Sequence, residues 1–348
     1  MTKTVFVTGA SGYIAAHIVE QLLVTTTYTV RGSVRSVSST SKIAHLTSLP
    51  HATERLQLVE ADLTTEGVFD ELVKGCDAVI HTASPYSLNV EDVQRDLVDP
   101  AEQGTLNVLR AVVKADTVET VVLTSSMAAI TDEPVPGHVF SEADWNGKSN
   151  LNRNPYHYSK VRAEKAAWNF MEKDENRDKF RLVVINPHVV IGPSHTKAVN
   201  TSLLIIQEIL TGKFPGIIDI NFGFVDVRDV AKAHILAMEN PDARGRYVCF
   251  AEPKHVKQVI EVLKREFPGY SYPWLNIPNM IVYLASYLEG QGRGSFMRTN
   301  VGKGAFEINN SKIKKELGIE FMSIDTSIID SVRDLQRWGN IPAEKKRN

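Results

Sequence analysis

The chain has 348 residues, enough for one large or two ordinary domains with a real core. Apolar residues make up 43% and charged residues 23%, ordinary for a soluble globular protein, and the net charge of −2 gives no reason to expect a nucleic acid partner. Two cysteines, Cys76 and Cys249, stand in no metal or redox spacing and read as reduced structural thiols. The first apolar run already reads as a strand and a glycine turn, not a signal peptide. The longest, Met280 to Leu288, is too short to span a bilayer. A soluble, cytoplasmic protein with no membrane association is expected. The sequon Asn200-Thr201-Ser202 is read as chance and the basic tail Lys345-Lys346-Arg347 as a solvated terminus.

The chain opens on Thr4 to Thr8, a short uncharged β-rich run suited to a strand buried on both faces. Gly9 follows at once, and Gly12 opens an apolar, helix-periodic stretch from Tyr13 to Val24. Strand, glycine turn and helix start in that order make an anion cradle. Backbone N–H groups at the helix N-terminus point at the anion, and the helix dipole favours it. Gly9 lets the chain turn, Gly12 lets backbone approach a pyrophosphate, and Ala15 permits close helix–strand packing. The spacing Gly-x-x-Gly-x-x-Ala differs from the longer Gly-x-Gly-x-x-Gly fingerprint.

Further strands are expected at 28–35, 56–60, 78–82, 120–124 and 181–186, with helical spacing at 42–49, 66–74, 99–115 and 155–173. Six strands alternating with helices predict an α/β fold, a doubly wound parallel Rossmann sheet. Past Ile191 the pattern weakens. A helix is expected at 199–211, strong order returns at 224–238, and helices dominate at 255–266, 278–289, 311–317 and 325–338. The resulting division is a dinucleotide-binding domain at 1–190, with 224–250 returning to it. A smaller, mainly helical substrate-binding lobe takes 191–223 and 251–340, and 341–348 is a tail. The stretch Gly290 to Gly294 reads as the most flexible.

Ligands of such a sheet bind at the carboxyl ends of its strands, where Ala83-Ser84, Ser125-Ser126 and Pro187-His188 fall. Tyr156 and Lys160 are four apart and share a helix face. A cation beside a phenol favours phenolate and lowers a pKa that starts near 10, which makes a tyrosine useful as an acid or base near neutral pH. A serine hydroxyl from the neighbouring strand end can hydrogen-bond the same substrate oxygen. The histidines show no metal spacing, so no metal is expected. Asp226, Arg228 and Asp229 read as a structural ion network. Tyr86, Met127, Trp145, His188 and Phe222 are candidates to line a pocket.

Thr8-Gly9-Ala10-Ser11-Gly12, the Ser125-Ser126 pair and Tyr156-x-x-x-Lys160 together resemble the extended short-chain dehydrogenase/reductase family, from the first strand to about Leu317. His81 to Pro85, Val122 to Ser126, Ala163 to Trp168 and Phe224 to Ala231 are similar to its dihydroflavonol reductase-like branch, which also holds methylglyoxal/ketone and aldehyde reductases. The resemblance implies an NADP(H)-dependent carbonyl reductase that transfers the pro-S hydride. In it Tyr156 protonates the carbonyl oxygen and Lys160 lowers the Tyr156 pKa and holds the nicotinamide ribose. Ser126 polarises the carbonyl, with Ser125 as the fallback. Tyr13 and Ile14 offer amides to the pyrophosphate, and Asp62 and Leu63 flank the adenine. Ala83 and Ser84 line the cofactor, and Pro187 and Val189 meet the nicotinamide end. Arg35 and Lys42 match the positions that bind the 2′-phosphate.

An NAD-selective sheet carries an acidic residue about 20 residues past the glycine turn. Here Val34-Arg35 ends the second strand, and no carboxylate follows before Glu54. Two positions depart from the pattern. Pro100 and Ala101 stand where many short-chain enzymes place an asparagine, and Asn107, further along, is given no catalytic role. Thr131 replaces the asparagine that holds a flavonoid, which argues against that substrate. The expected partner is a small-molecule carbonyl compound, and the expected state a monomer or homodimer. Rival readings are a nucleotide-sugar epimerase or dehydratase, which Arg35 opposes, and a hydroxysteroid dehydrogenase. A cofactor-sensing regulator is the third, opposed by the retained tyrosine–lysine pair.

Overall fold

The computed structural model describes residues 2–84 and 91–344. Its strands are β1 (Thr4–Thr8), β2 (Thr29–Val34), β3 (Leu56–Glu60), β4 (Ala78–His81), β5 (Thr120–Thr124), β6 (Val139–Phe140), β7 (Arg181–Pro187), β8 (Val189–Ile191), β9 (Asn221–Asp226), β10 (Gly245–Cys249), β11 (Glu252–His255) and β12 (Glu307–Ile308). Seven of them form one parallel sheet in the order β10-β7-β5-β4-β1-β2-β3. The chain winds outward from β1 in both directions, so the order reverses between β1 and β4. Residues 5–7 alternate across this central strand. Val5 and Val7 join the core under the helices Tyr13–Thr25 and Val227–Glu239, while Phe6 joins the core under Asp99–Ala115 and Pro155–Met171. Each such buried side chain contributes about 1.5–3 kcal/mol.

The sheet has seven strands where the chain-order pattern gave six. β10 adds the seventh at the edge, beside β7. Just before it, Asn221–Asp226 leaves the main sheet and pairs with β8 and β11 in a three-stranded sheet of its own. The helices Thr201–Leu210, Val256–Glu266 and Ile324–Arg337 close over that sheet around a separate core that includes Leu203, Ile206, Phe224, Leu263, Ile328 and Val332. Asp226 caps the helix Val227–Glu239 by accepting from the Arg228 amide at 2.8 Å, and its carboxylate also pairs with the Arg228 guanidinium, which reaches Asp330. Asp229 accepts from the Met322 amide, and burial pushes its carboxyl up to about 6. Among the described residues no helix is long and apolar enough to cross a membrane.

Three local expectations are corrected. Residues 66–74 are a string of turns, not a helix: Gly67 turns left-handed at φ +71°, and most of the amides that bond here reach three residues back, Val73 alone reaching four. The helix expected at 278–289 is confined to Asn279–Ala285. The glycine-rich stretch enters the helix Gln291–Asn300, with Gly290 as its N-cap and Gly294 packed against backbone. A Cβ on Gly294 would sit 2.2 Å from the Ser286 carbonyl oxygen and 3.0 Å from that of Glu289. Both obstacles are backbone, so Gly294→Ala is expected to cost about 1–3 kcal/mol. Urea denaturation measures this, and an unchanged midpoint would remove the close approach as the reason for glycine.

Candidate active site

The turn after β1 builds the first part of the site. Gly9 is left-handed at φ +63°, and a Cβ there would lie 3.1 Å from that of Ala83. The helix Tyr13–Thr25 opens on Gly12 with no side-chain cap and no acid in its first turn. Uncapped amides at a helix start, bare of side chains, fit a bound diphosphate. The Thr8 hydroxyl fixes the facing loop by accepting from the Thr82 and Ala83 amides at 3.1 and 3.0 Å. It lies 2.7 Å from His81 Nδ1, and burial pushes that imidazole down to about 3, so His81 is a neutral acceptor for the hydroxyl proton. Arg35 is exposed at the end of β2. The Asp62 carboxyl nearby is held below its usual range, first by the Thr64 hydroxyl and more weakly by the Arg35 charge.

Leu63 depends on two residues of the helix Asp99–Ala115. Gly104 has no side chain under it, where a Cβ would come within 2.5 Å of Leu63 Cγ. Asn107 donates to the Leu63 carbonyl at 3.1 Å. Asn107 is thus a positioning residue for the loop.

The helix Pro155–Met171 carries Tyr156 and Lys160. Lys160 is 8% exposed; its Nζ donates to Ser84 Oγ at 3.0 Å and lies 5.6 Å from the Tyr156 ring centre. The two serines after β5 both line the cleft but differ in their bonding. Ser125 is buried and donates to Glu164 Oε2 at 2.5 Å. Ser126 faces the cleft; its Oγ accepts from the Ala128 amide and makes only a long 3.4 Å bond to the Pro187 carbonyl.

One cleft of about 1270 Å³ joins these parts. It is lined by Gly9, Gly12, Tyr13, Ile14, Arg35, Asp62, Leu63, Ala83, Ser84, Ser126, Met127, Tyr156, Lys160, Pro187, His188, Val189 and Phe222. Lys42 is not among them: it is exposed on the helix Thr40–Thr47. Trp145 is likewise elsewhere, stacked on the Arg246 guanidinium at 3.9 Å. Tyr86 lies outside the described residues. The cleft also holds His157, Phe296 and Phe306, which sequence reasoning missed. Phe296 stacks on Phe222 with ring centres 5.9 Å apart and on His157 at 6.2 Å. His157 adjoins Tyr156 in the sequence, a signal that was available; Phe296 sits in the misread glycine-rich segment. Thr131 turns its hydroxyl onto the Glu133 carbonyl at 2.9 Å.

The switch-point cradle and the tyrosine–lysine helix define a dinucleotide-dependent oxidoreductase. The NAD dependent epimerase/dehydratase family model matches residues 5–249, and the chain belongs to that family, the extended short-chain dehydrogenases/reductases. Over 344 residues the chain is 40% identical to cinnamoyl-CoA reductase CAD2 of Medicago truncatula, with 96% of each covered. It is similar in structure to Gre2 of Candida albicans in complex with NADPH (33% identity, 97% of this chain and 99% of that one, TM-score 0.79). The yeast methylglyoxal/isovaleraldehyde reductase Gre2, complexed with NADPH, is also similar (31% identity, 97% and 100% covered, TM-score 0.80).

Burial pulls Lys160 down from 10.5 to about 8, against the opposing pull of Glu164. Between those values the unfolded chain keeps a proton that the folded chain has released. The stability contribution of Lys160 therefore rises with pH across that window. Urea denaturation of wild type and Lys160→Met without cofactor, stepped from pH 8 to 10.5, is expected to show wild type gaining on the variant as pH rises. Parallel profiles would contradict a desolvated ammonium.

Proposed function

We propose that the protein is an NADPH-dependent carbonyl reductase acting on small or medium, mostly neutral aldehydes and ketones. The observation that carries this reading is the meeting of Tyr156, buried Lys160 and the Ser126 hydroxyl in one cleft with the anion cradle. NADP(H), when bound, supplies the hydride for the carbonyl carbon. Tyr156 gives its proton to the carbonyl oxygen, and the Lys160 ammonium favours the phenolate left behind. Ser126 donates to the same oxygen and stabilises its developing charge. Gly9, Gly12, Tyr13 and Ile14 hold the pyrophosphate, Asp62 and Leu63 the adenine. Ala83, Ser84, Pro187 and Val189 hold the nicotinamide end. Recognition of the 2′-phosphate falls first on Arg35, which lines the cleft where Lys42 does not. Two buried, unpaired cysteines suit a reducing, cytoplasmic setting.

The far wall of the cleft supports an apolar substrate. Met127, Phe222, Phe296 and Phe306 line it together with two histidines that burial keeps neutral, His188 at about 3 and His157 at about 4. The Val189 amide donates to His188 Nδ1 at 2.9 Å, which leaves the proton on Nε2. A second reading, reduction of an acyl-CoA thioester, is favoured by the 40% identity to a cinnamoyl-CoA reductase. NADPH oxidation by the purified protein across aldehydes, α-dicarbonyls, β-ketoesters, aryl ketones, steroids and a cinnamoyl thioester separates the two. Aldehydes or ketones are expected to react fastest. A thioester ahead of all of them would install the second reading, and epimerisation of a nucleotide sugar with no net NADPH consumption would defeat both.

Two substitutions test the assigned roles. Tyr156→Phe is expected to lower carbonyl reduction by at least about 10²-fold, with NADPH affinity nearly unchanged; near-wild-type turnover would remove Tyr156 from the mechanism. Arg35→Ala is expected to weaken NADPH binding by about 10- to 150-fold, the value of a charged hydrogen bond, and to leave NADH untouched. The loss should shrink as salt rises. Dissociation constants for both cofactors decide it, and equal wild-type affinity for NADH and NADPH would sink the assignment.

A further inference from the structure

Outside the lining of the cleft, three ligand-type side chains converge at the helix Tyr13–Thr25. His17 and Glu20 are three residues apart and share a helix face. His195 comes to them from the loop after β8. One donor atom from each lies within 4.8 Å of the other two. Glu20 Oε2 is 3.6 Å from His17 Nδ1 and 3.1 Å from His195 Nε2. In a tetrahedral site with bonds of about 2.1 Å, neighbouring ligand atoms are about 3.4 Å apart. The observed separations bracket that value.

The protonation pattern is the second observation. His17 is 4% exposed, and its Nε2 lies 2.9 Å from the Pro193 carbonyl, an acceptor only, so Nε2 carries a proton. Its Nδ1 and the His195 Nε2 are buried and make no hydrogen bond among the described residues. Two buried ring nitrogens thus face one carboxylate at ion-pair distance but without hydrogen-bond geometry. Leaving such groups unsatisfied is costly. A cation held by all three removes the cost. A ring N–H donated to a backbone carbonyl is also the outer contact that orients metal-bound imidazoles.

We propose that His17, Glu20 and His195 form a binding site for a divalent transition metal, with zinc as the ion. Two imidazole nitrogens and one carboxylate oxygen, with a fourth position open to water, suit zinc better than magnesium or calcium, which prefer all-oxygen shells. The sequence hid the site because His195 lies far along the chain from the His17-x-x-Glu20 pair. The metal joins the loop after β8 to the helix whose N-terminus forms the anion cradle. Tyr13 already ties the same two segments, donating its hydroxyl to the Gly192 carbonyl at 2.9 Å. The role is that of a clamp, separate from proton and hydride transfer.

The test uses chelator-stripped full-length protein titrated with Zn²⁺ alone by calorimetry, and with Co²⁺ as a spectroscopic stand-in. A single Zn²⁺ per chain, a rise in thermal midpoint on adding it, and the intense visible bands of tetrahedral Co²⁺ are expected. His195→Gln and Glu20→Gln, both at partly exposed positions, are expected to fold and to bind Zn²⁺ at least about 100-fold more weakly. Folded wild type that takes up no Zn²⁺, or both variants matching wild type in affinity, would overturn the proposal and leave a histidine–glutamate ion pair.

Discussion

The carboxylate of Glu164, 1% exposed, accepts hydrogen bonds from Ser125 just past β5, from Asn186 in β7 and from Arg246 in β10. Those three strands are neighbours in the sheet, so a single side chain of the helix Pro155–Met171 is fastened to two of them and to the loop that leaves the third. Lys160 lies one helical turn before it, and Tyr156 one turn before that. Their position over the strand ends follows from where Glu164 is held. A buried carboxylate is tolerable only because its partners are complete, and breaking such a pair typically costs about 3–5 kcal/mol. Arg246 is itself kept in place by stacking on Trp145 and by donating to the Glu142 and Asp144 carbonyls. The Ser125 hydroxyl is occupied by this network, while that of Ser126 makes only a long bond to the Pro187 carbonyl.

A second constraint organises the other side of the cleft. The Thr8 hydroxyl gathers the loop after β4 against the glycine turn, so that Ser84 reaches Lys160. The two halves of the site, the glycine turn and the helix of Tyr156 and Lys160, therefore meet through short contacts at the point where strand order reverses.

Much of this was legible in the sequence because it is local. β1, the helix that follows and the tyrosine–lysine spacing are written in consecutive residues with a clear period. The glycines at 9 and 12 announce the turn. What was not legible depends on residues distant in the chain. The hub at Glu164 joins helix, loop and two strands, and nothing around Ala163-Glu164-Lys165 marks that carboxylate as buried. The choice between Ser125 and Ser126 rests on that hub. The glycines from 290 to 294 read as the most flexible stretch, yet Gly294 is small because the Ser286 carbonyl crowds it. Residues 66–74 carry helical spacing, but Gly67 breaks it by turning left-handed. Arg35 and Lys42 are both exposed, and only Arg35 lines the cleft, a difference that charge and spacing do not carry.

Direct hydride transfer to a carbonyl carbon, with the proton supplied by the protein, is the chemistry on which the functional reading stands. NADPH carrying deuterium at the pro-S position of the nicotinamide ring tests it most directly, with an aldehyde substrate and mass analysis of the alcohol. Deuterium is expected on the carbinol carbon, and none with the pro-R label. An alcohol whose carbinol hydrogen comes from solvent, or a label retained on the oxidised cofactor, would contradict it.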